Sequence, residues 1–167
     1  YYFDVLFRRE RPQKGRQRQF YQFGAEAIGS PNPEQDAEII ALAYNIFKGF
    51  NIKDMTVLLN SIGSAEIRSE YLITLRSSIR KIEKELCKTC QIRIEKNALR
   101  IFDCKNSQCQ KLLDEYVPFI FESISDDDQT HFDTVTRILN EMDIPFSHDK
   151  KLVRGLDYYS HTTFEIT

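Results

Sequence analysis

No stretch of eighteen consecutive apolar residues occurs in the 167-residue chain, and its N-terminus does not run from a charged region into an apolar one. Neither a membrane-spanning helix nor a secretory signal is expected, so the chain reads as a soluble, cytoplasmic protein with no membrane partner. No glycine-rich phosphate loop or dinucleotide turn occurs among its 6 glycines, which removes P-loop and Rossmann chemistry. The histidines, His131, His148 and His161, are scattered, with no spacing that suits a metal or a nucleophile paired with a base. Net positive charge is missing too: the formal sum is −2 and the pI is near 6.0. Coating nucleic acid through bulk charge is excluded, and any anion must be met by a local patch.

What is present is enough for a core. With 41% hydrophobic and 29% charged residues, the length permits one domain or one domain plus an insert. Charge is concentrated in two places. The stretch FRRERPQKGRQRQF, residues 7–20, crowds Arg8, Arg9, Arg11, Lys14, Arg16 and Arg18 around the single acid Glu10, and residues 76–105 carry nine cations against four acids. Residues 114–133, by contrast, hold seven acids and no Lys or Arg.

Along the chain, YYFDVLF (1–7) and QFYQFGAEAIG (19–29) have the aromatic and β-branched texture of strands, and Pro12 and Gly15 supply a loop between them, so a hairpin with a cationic tip is expected. Pro33 with Glu34, Asp36 and Glu38 marks a helix start, and apolar positions at helical spacing carry that helix toward Gly49. MTVLLNSIG (55–63) reads as a strand. From Ser64 the texture becomes helical and charged, with later helices near 107–122 and 128–142; residues 144–166 then return to β character around a turn at SHDKK. The expected organisation is α+β: an antiparallel sheet flanked by helices, in parts 1–64 and 144–167, interrupted by a mostly helical insertion over 65–143. The chain begins without Met and stops inside the β-prone TTFEIT, which reads as an internal piece of a longer polypeptide.

Arginine presents a planar, permanently charged fork of donors suited to carboxylates and phosphates, and a hairpin holds such forks in register. The opening stretch therefore has the makings of a polyphosphate clamp. Glu10, two residues after Arg8, would share a strand face with it and could accept from an amino group such as that of adenine; Phe20 offers a ring on which a base could stack. A solvated loop or an RNA-facing patch is the plainer alternative.

The pattern FRRERPQKGRQRQFYQFGAE resembles motif two of the class II aminoacyl-tRNA synthetases, and its QF-x-QFGAE ending is similar to the histidyl-tRNA synthetase version. LVRGLDYYSHTTFE, residues 152–165, resembles the histidine-recognition motif of that same family. The resemblance spans both ends of the chain. It implies a class II synthetase-type fold and a family chemistry of histidine, ATP and histidine tRNA, with Mg2+ accompanying ATP and a homodimer as the parent assembly. It further implies that Arg8 bridges the histidine carboxylate and the ATP α-phosphate, with Glu10 near the adenine amino group, Arg16 on the outer phosphates and Phe20 stacking the base. By the same resemblance Gln22 and Glu26 read the substrate histidine, Arg154 is a second catalytic arginine at the α-phosphate, and Tyr158 and Tyr159 line the histidine pocket. Without the motifs, these would be ordinary strand polars, core aromatics and a surface cation. Asp157 is left without a role, and His161 reads as a neutral strand residue. The family's motif one, its upstream histidine-contacting segment and motif three are not in the chain, so catalysis by this piece alone is not expected.

The insertion matches the family's inserted domain, which implies that it faces the tRNA acceptor stem, its basic portion 76–105 toward phosphate and its acidic portion 114–133 away. All four cysteines fall here, Cys87, Cys90, Cys104 and Cys109, as C-x2-C-x13-C-x4-C. That spacing suits a tetrahedral zinc site, and four free, partly buried thiols are the alternative; disulfides do not fit a reducing compartment. Two rival functions stay open: a non-catalytic synthetase paralogue such as the regulatory subunit of ATP phosphoribosyltransferase, and a plain RNA-binding or zinc-ribbon module.

Overall fold

Alternating rings and polar side chains at the start of the chain form an antiparallel hairpin, β1 (Tyr2–Phe7) against β2 (Gln19–Gly24), in the register Tyr2 to Gly24, Asp4 to Gln22 and Leu6 to Phe20. The computed structural model describes residues 1–9, 11–154 and 159–167. Contacts divide them into two compact units, Tyr1–Pro31 and Asn32–Thr167. The hairpin continues past the strands through Arg8 N–H, which donates to the Arg18 carbonyl at 2.8 Å, and closes at a tip where Gln13 and Arg16 exchange backbone hydrogen bonds around Gly15 at φ +78°. At Gly24 the Tyr2 ring lies close over the backbone, and a Cβ there, 2.6 Å from that ring, would push it aside.

In the second unit α1 (Pro33–Gly49) starts with proline in its first turn and with Glu34 and Asp36 at its positive end. β3 (Val57–Ser61) follows and is the central strand of a three-stranded sheet, with β4 (Phe146–His148) on one side and β5 (Thr162–Ile166) on the other. β5 is antiparallel to β3, as expected, but β4 is parallel to it, so the sheet is mixed. A parallel neighbour needs a long crossover, and the helical segment between β3 and β4 supplies it. Arg154 and Tyr159 fall between β4 and β5, outside both strands, and residues 155–158 lie outside the described residues.

That crossover begins at Gly63, whose φ of +65° and 3.0 Å approach to Ile67 Cγ2 leave no room for a side chain. Ser64 then caps α2 (Ala65–Ile82), its hydroxyl accepting from Ile67 N–H. Tyr71, Leu75, Ile79 and Ile82 recur at helical spacing and are buried. They enter a core shared with α3 (Lys88–Lys96), α4 (Ser107–Tyr116) and the short 3-10 turns Glu83–Glu85, Ala98–Ile101 and Ile120–Ser123. α5 (Asp126–Glu141) belongs elsewhere: Phe132, Val135 and Leu139 pack with Ala37, Ile40, Val57 and Leu59 in the sheet core. Each such fully buried aliphatic side chain contributes about 1.5–3 kcal/mol by leaving water. The larger unit thus has two cores, one under the sheet and one inside the helical lobe α2–α4.

Candidate functional site

The hairpin register puts the motif residues of the first stretch together. Side chains directly opposite one another across a ladder share a face, so Leu6, Phe20, Asp4 and Gln22 lie on one side. Arg8 joins them, its guanidinium carbon 3.8 Å above the Phe20 ring centre. A planar cation over an aromatic face is attractive in itself and fixes the fork's orientation. Gln22 Nε2 donates to the Tyr2 hydroxyl at 2.5 Å. Arg16 stands exposed at the tip, and Glu26 is exposed just beyond β2. The opposite face carries Phe3 stacked on Tyr21 at 5.8 Å. Glu10 lies outside the described residues.

In the second unit, Arg154 and Tyr159 meet in an open cleft of about 370 Å³, lined also by Ala43 and Phe47 of α1 and by Thr162–Ile166 of β5. Arg154 Nη2 donates to the Phe164 carbonyl at 3.0 Å, which aims the guanidinium along β5. Thr162 Oγ1 and Thr163 Oγ1 are buried and, among the described residues, find no hydrogen-bond partner; a satisfied core does not usually leave such groups. Tyr158 lies outside the described residues. The Tyr159 carbonyl accepts from the largely buried Arg68 of α2.

Sequence reasoning missed the groups that support this cleft. Asn60, wholly buried in the middle of β3, donates to the carbonyls of Leu152 at 2.9 Å and Lys150 at 3.3 Å, and its Oδ1 lies 3.1 Å from His148 Nε2. It thereby pins the loop that delivers Arg154. A single Asn in an otherwise apolar strand was the available signal, since Asn is depleted in strands unless it bonds something. Burial, with Lys150 nearby, pulls His148 below the ordinary histidine range.

Two of the three histidines come together in space. His131 and His161 stack with ring centres 4.8 Å apart; Asp36 accepts from His131 at 2.8 Å, and Asp128 accepts from His161 Nδ1 at 2.9 Å. His161 sits at φ +54°, not in a strand, and its backbone bonds Ile62 and Gly63. Asp128 also closes the capping box of α5 with Ser125. Burial pushes its carboxyl up, but the Ser125 hydroxyl, the N–H groups of Ser125 and Ser64, and His161 outweigh that and hold it below the usual carboxylate value.

Cys87, Cys90, Cys104 and Cys109 converge in the helical lobe, their sulfur atoms all within 4.8 Å of one another. The Cys90 backbone N–H draws the Cys87 thiol down to about 7, whereas burial pushes Cys90 and Cys109 up.

Arg8 over Phe20 on the hairpin and Arg154 in the cleft beside β5 are the two arginines that the resemblance to the class II aminoacyl-tRNA synthetases singled out. A family model of histidyl-tRNA synthetase matches residues 1–167, and the chain belongs to that family. It is 48% identical over 166 residues to a histidine–tRNA ligase of Clostridioides difficile and 45% identical to one of a Geobacillus species, covering 99% of this chain and 39% of each relative. A crystal structure of apo Staphylococcus aureus histidyl-tRNA synthetase superposes with a TM-score of 0.72 at 33% identity, over 99% of this chain and 37% of that one. The chain thus spans about two fifths of the length of the relatives it matches. No helix among the described residues is long and apolar enough to cross a membrane.

Proposed function

We propose that the complete polypeptide carrying these residues is a cytoplasmic histidine–tRNA ligase. It joins histidine to ATP, releasing pyrophosphate, and then transfers histidine from the adenylate to the terminal ribose of its tRNA. The observation that carries this reading is the convergence of Arg8, Phe20 and Gln22 on one hairpin face, in a chain that matches histidyl-tRNA synthetases from end to end.

In the first step an oxygen of the histidine carboxylate forms a bond to the α-phosphorus while the bond from that phosphorus to the pyrophosphate oxygen breaks. Two anions must approach, so a fork that touches both lowers the barrier by positioning and by charge compensation. Arg8 has that task, with Arg154 stabilising the α-phosphate from the cleft. Arg16 holds the outer phosphates, Glu10 accepts from the adenine amino group, and the base stacks on Phe20. Gln22 and Glu26 read the histidine, and Tyr158 and Tyr159 wall its pocket. Magnesium bound with ATP would offset phosphate charge.

In this reading segments 1–64 and 144–167 are catalytic and the inserted segment read as 65–143 approaches the acceptor stem, in a homodimeric parent. Because α5 packs in the sheet core, we narrow the RNA-facing lobe to α2–α4. The test is exchange of labelled pyrophosphate into ATP, run on the complete polypeptide against all the standard amino acids with Arg154→Ala alongside. Exchange that requires histidine and falls by a factor of about 10² or more in the variant is the expected result. A folded protein that binds ATP but shows no histidine-dependent exchange would move the assignment to a non-catalytic paralogue.

A further inference from the structure

We propose that Cys87, Cys90, Cys104 and Cys109 bind one structural Zn2+ ion that ties together the helical lobe. The first argument is distance. Four sulfurs at about 2.3 Å from a common centre form a tetrahedron whose edges are about 3.8 Å. Cys87 Sγ and Cys104 Sγ lie 3.8 Å apart, and the four sulfurs fall within 4.8 Å of one another. All four thiols are free, so this is a set of non-bonded sulfurs already held near the dimensions of a zinc site.

The second argument is the way the backbone presents them. The cysteines come as two short-range pairs, and each pair brackets a helix start. Cys87 is the N-cap residue of α3 with Cys90 in its first turn; Cys104 precedes, and Cys109 lies in the first turn of, α4. Helix N-termini carry unpaired N–H groups and partial positive charge, the environment that favours thiolate over thiol. The backbone N–H of Cys87 donates to Cys109 Sγ at 3.2 Å and that of Asn106 to Cys104 Sγ at 3.4 Å. Such N–H to sulfur contacts stabilise ligating thiolates and orient them.

Outer hydrogen bonds fix the two loops that supply the pairs. Gln91 Nε2 donates to the carbonyls of Glu83 and Leu86, just ahead of Cys87. Gln110 Nε2 donates to the carbonyls of Phe102 and Cys104, and the Asn106 side chain caps α4 by accepting from Gln108 and Cys109 N–H. Apolar packing alone would not need these four sulfurs to face one point, and the segment joining α2 to α4 is built of short helices that gain most from a cross-link. On binding, each thiol releases its proton to solvent as its sulfur takes up a coordination position. With every position filled by protein, no place is left for water or substrate, so the ion is structural and not catalytic.

The experiment uses the complete polypeptide, expressed with zinc in the medium and purified without chelators or an immobilised-metal step. Elemental analysis is expected to find about one zinc per chain, falling to below about a tenth in the double variant Cys104→Ser/Cys109→Ser. Because that variant can fail to fold, the unaltered chain is also titrated with an organomercurial: zinc release in step with thiol modification supports the site, and cobalt substitution should give the intense absorption of a tetrahedral tetrathiolate ion. The proposal is overturned if the folded chain carries no zinc while its four thiols react freely with a thiol reagent, or if peptide mapping recovers a disulfide between Cys87 and Cys104.

Discussion

The hairpin and the β3 sheet handle polar side chains in opposite ways. On the hairpin, the groups that matter are near one another in sequence or directly across one ladder, are exposed or half-buried, and make few fixed bonds: Arg8 rests on Phe20, and Gln22 on Tyr2. Around β3 the polar groups are buried, as Asn60 and Asp128 are, or half-buried, and reach across long stretches of chain, Asn60 to Leu152, Asp36 to His131 and Asp128 to His161. The first arrangement leaves side chains free to exchange their partners for a ligand. The second locks a loop in place, because each buried polar atom costs about 1–3 kcal/mol if its partner is lost. The comparison teaches a division between side chains that can change partners and side chains that hold a loop in place.

Breaking that division at the hairpin should affect chemistry without affecting stability. Arg8→Ala in the complete polypeptide is expected to slow histidine-dependent pyrophosphate exchange by a factor of about 10²–10³, while its urea midpoint stays within about 0.5 kcal/mol of the parent. A variant that loses stability and activity in parallel would show that the cation over Phe20 is structural. The converse case is Asn60→Leu. It removes both donors from the 150–152 carbonyls and the acceptor facing His148, in a site with no water access, and should cost about 3 kcal/mol in urea unfolding. Asn60→Ser, which keeps a polar group but cannot span the same carbonyls, should recover only part of that loss. If both variants unfold like the parent, Asn60 does not pin the loop.

The same division explains what could be read in advance. The hairpin, α1, β3 and α2 followed from local pattern, and the motif residues Arg8, Phe20 and Gln22 fell on one face because strand alternation is a local rule. The parallel pairing of β4 with β3 was not legible, since nothing in three residues of strand encodes direction; it follows only from the crossover that precedes it. α5 carries a helical pattern whose apolar face fits either core, and only packing assigns it to the sheet. The His131 and His161 stack is invisible for the same reason. Thirty residues separate them, and His161 looks like the start of a strand until its left-handed backbone turns it toward Asp128. The four cysteines were legible as a spacing, but the N–H groups that face their sulfurs were not.

Asp128 sharpens the comparison most finely, because it belongs wholly to the buried kind and titrates. Its carboxyl is held below the usual value by Ser125, Ser64 N–H and His161 despite burial. A group whose folded value is depressed binds fewer protons folded than unfolded, so its contribution to stability is complete above the unfolded carboxylate value. That contribution is lost as the pH falls through the folded one. The unfolding free energy of the parent should therefore drop in acid more steeply than that of Asp128→Asn, by at most about 1.4 kcal/mol per pH unit for the one proton involved. At neutral pH the substitution should cost about 1 kcal/mol, as expected for weakening a helix N-terminal cap. Glu66, on the same side of α2 as the Ser64 cap, is also depressed, first by its own backbone N–H and then by Ser64. The Asp128 charge pushes Glu66 slightly the other way, so removing it deepens the Glu66 depression and offsets a small part of the difference between the two proteins. Parallel curves for parent and variant would mean that the Asp128 carboxylate has no net preference for the folded state. The bonds to Ser125 and His161 would then be a consequence of the packing of α5 and not a cause of it.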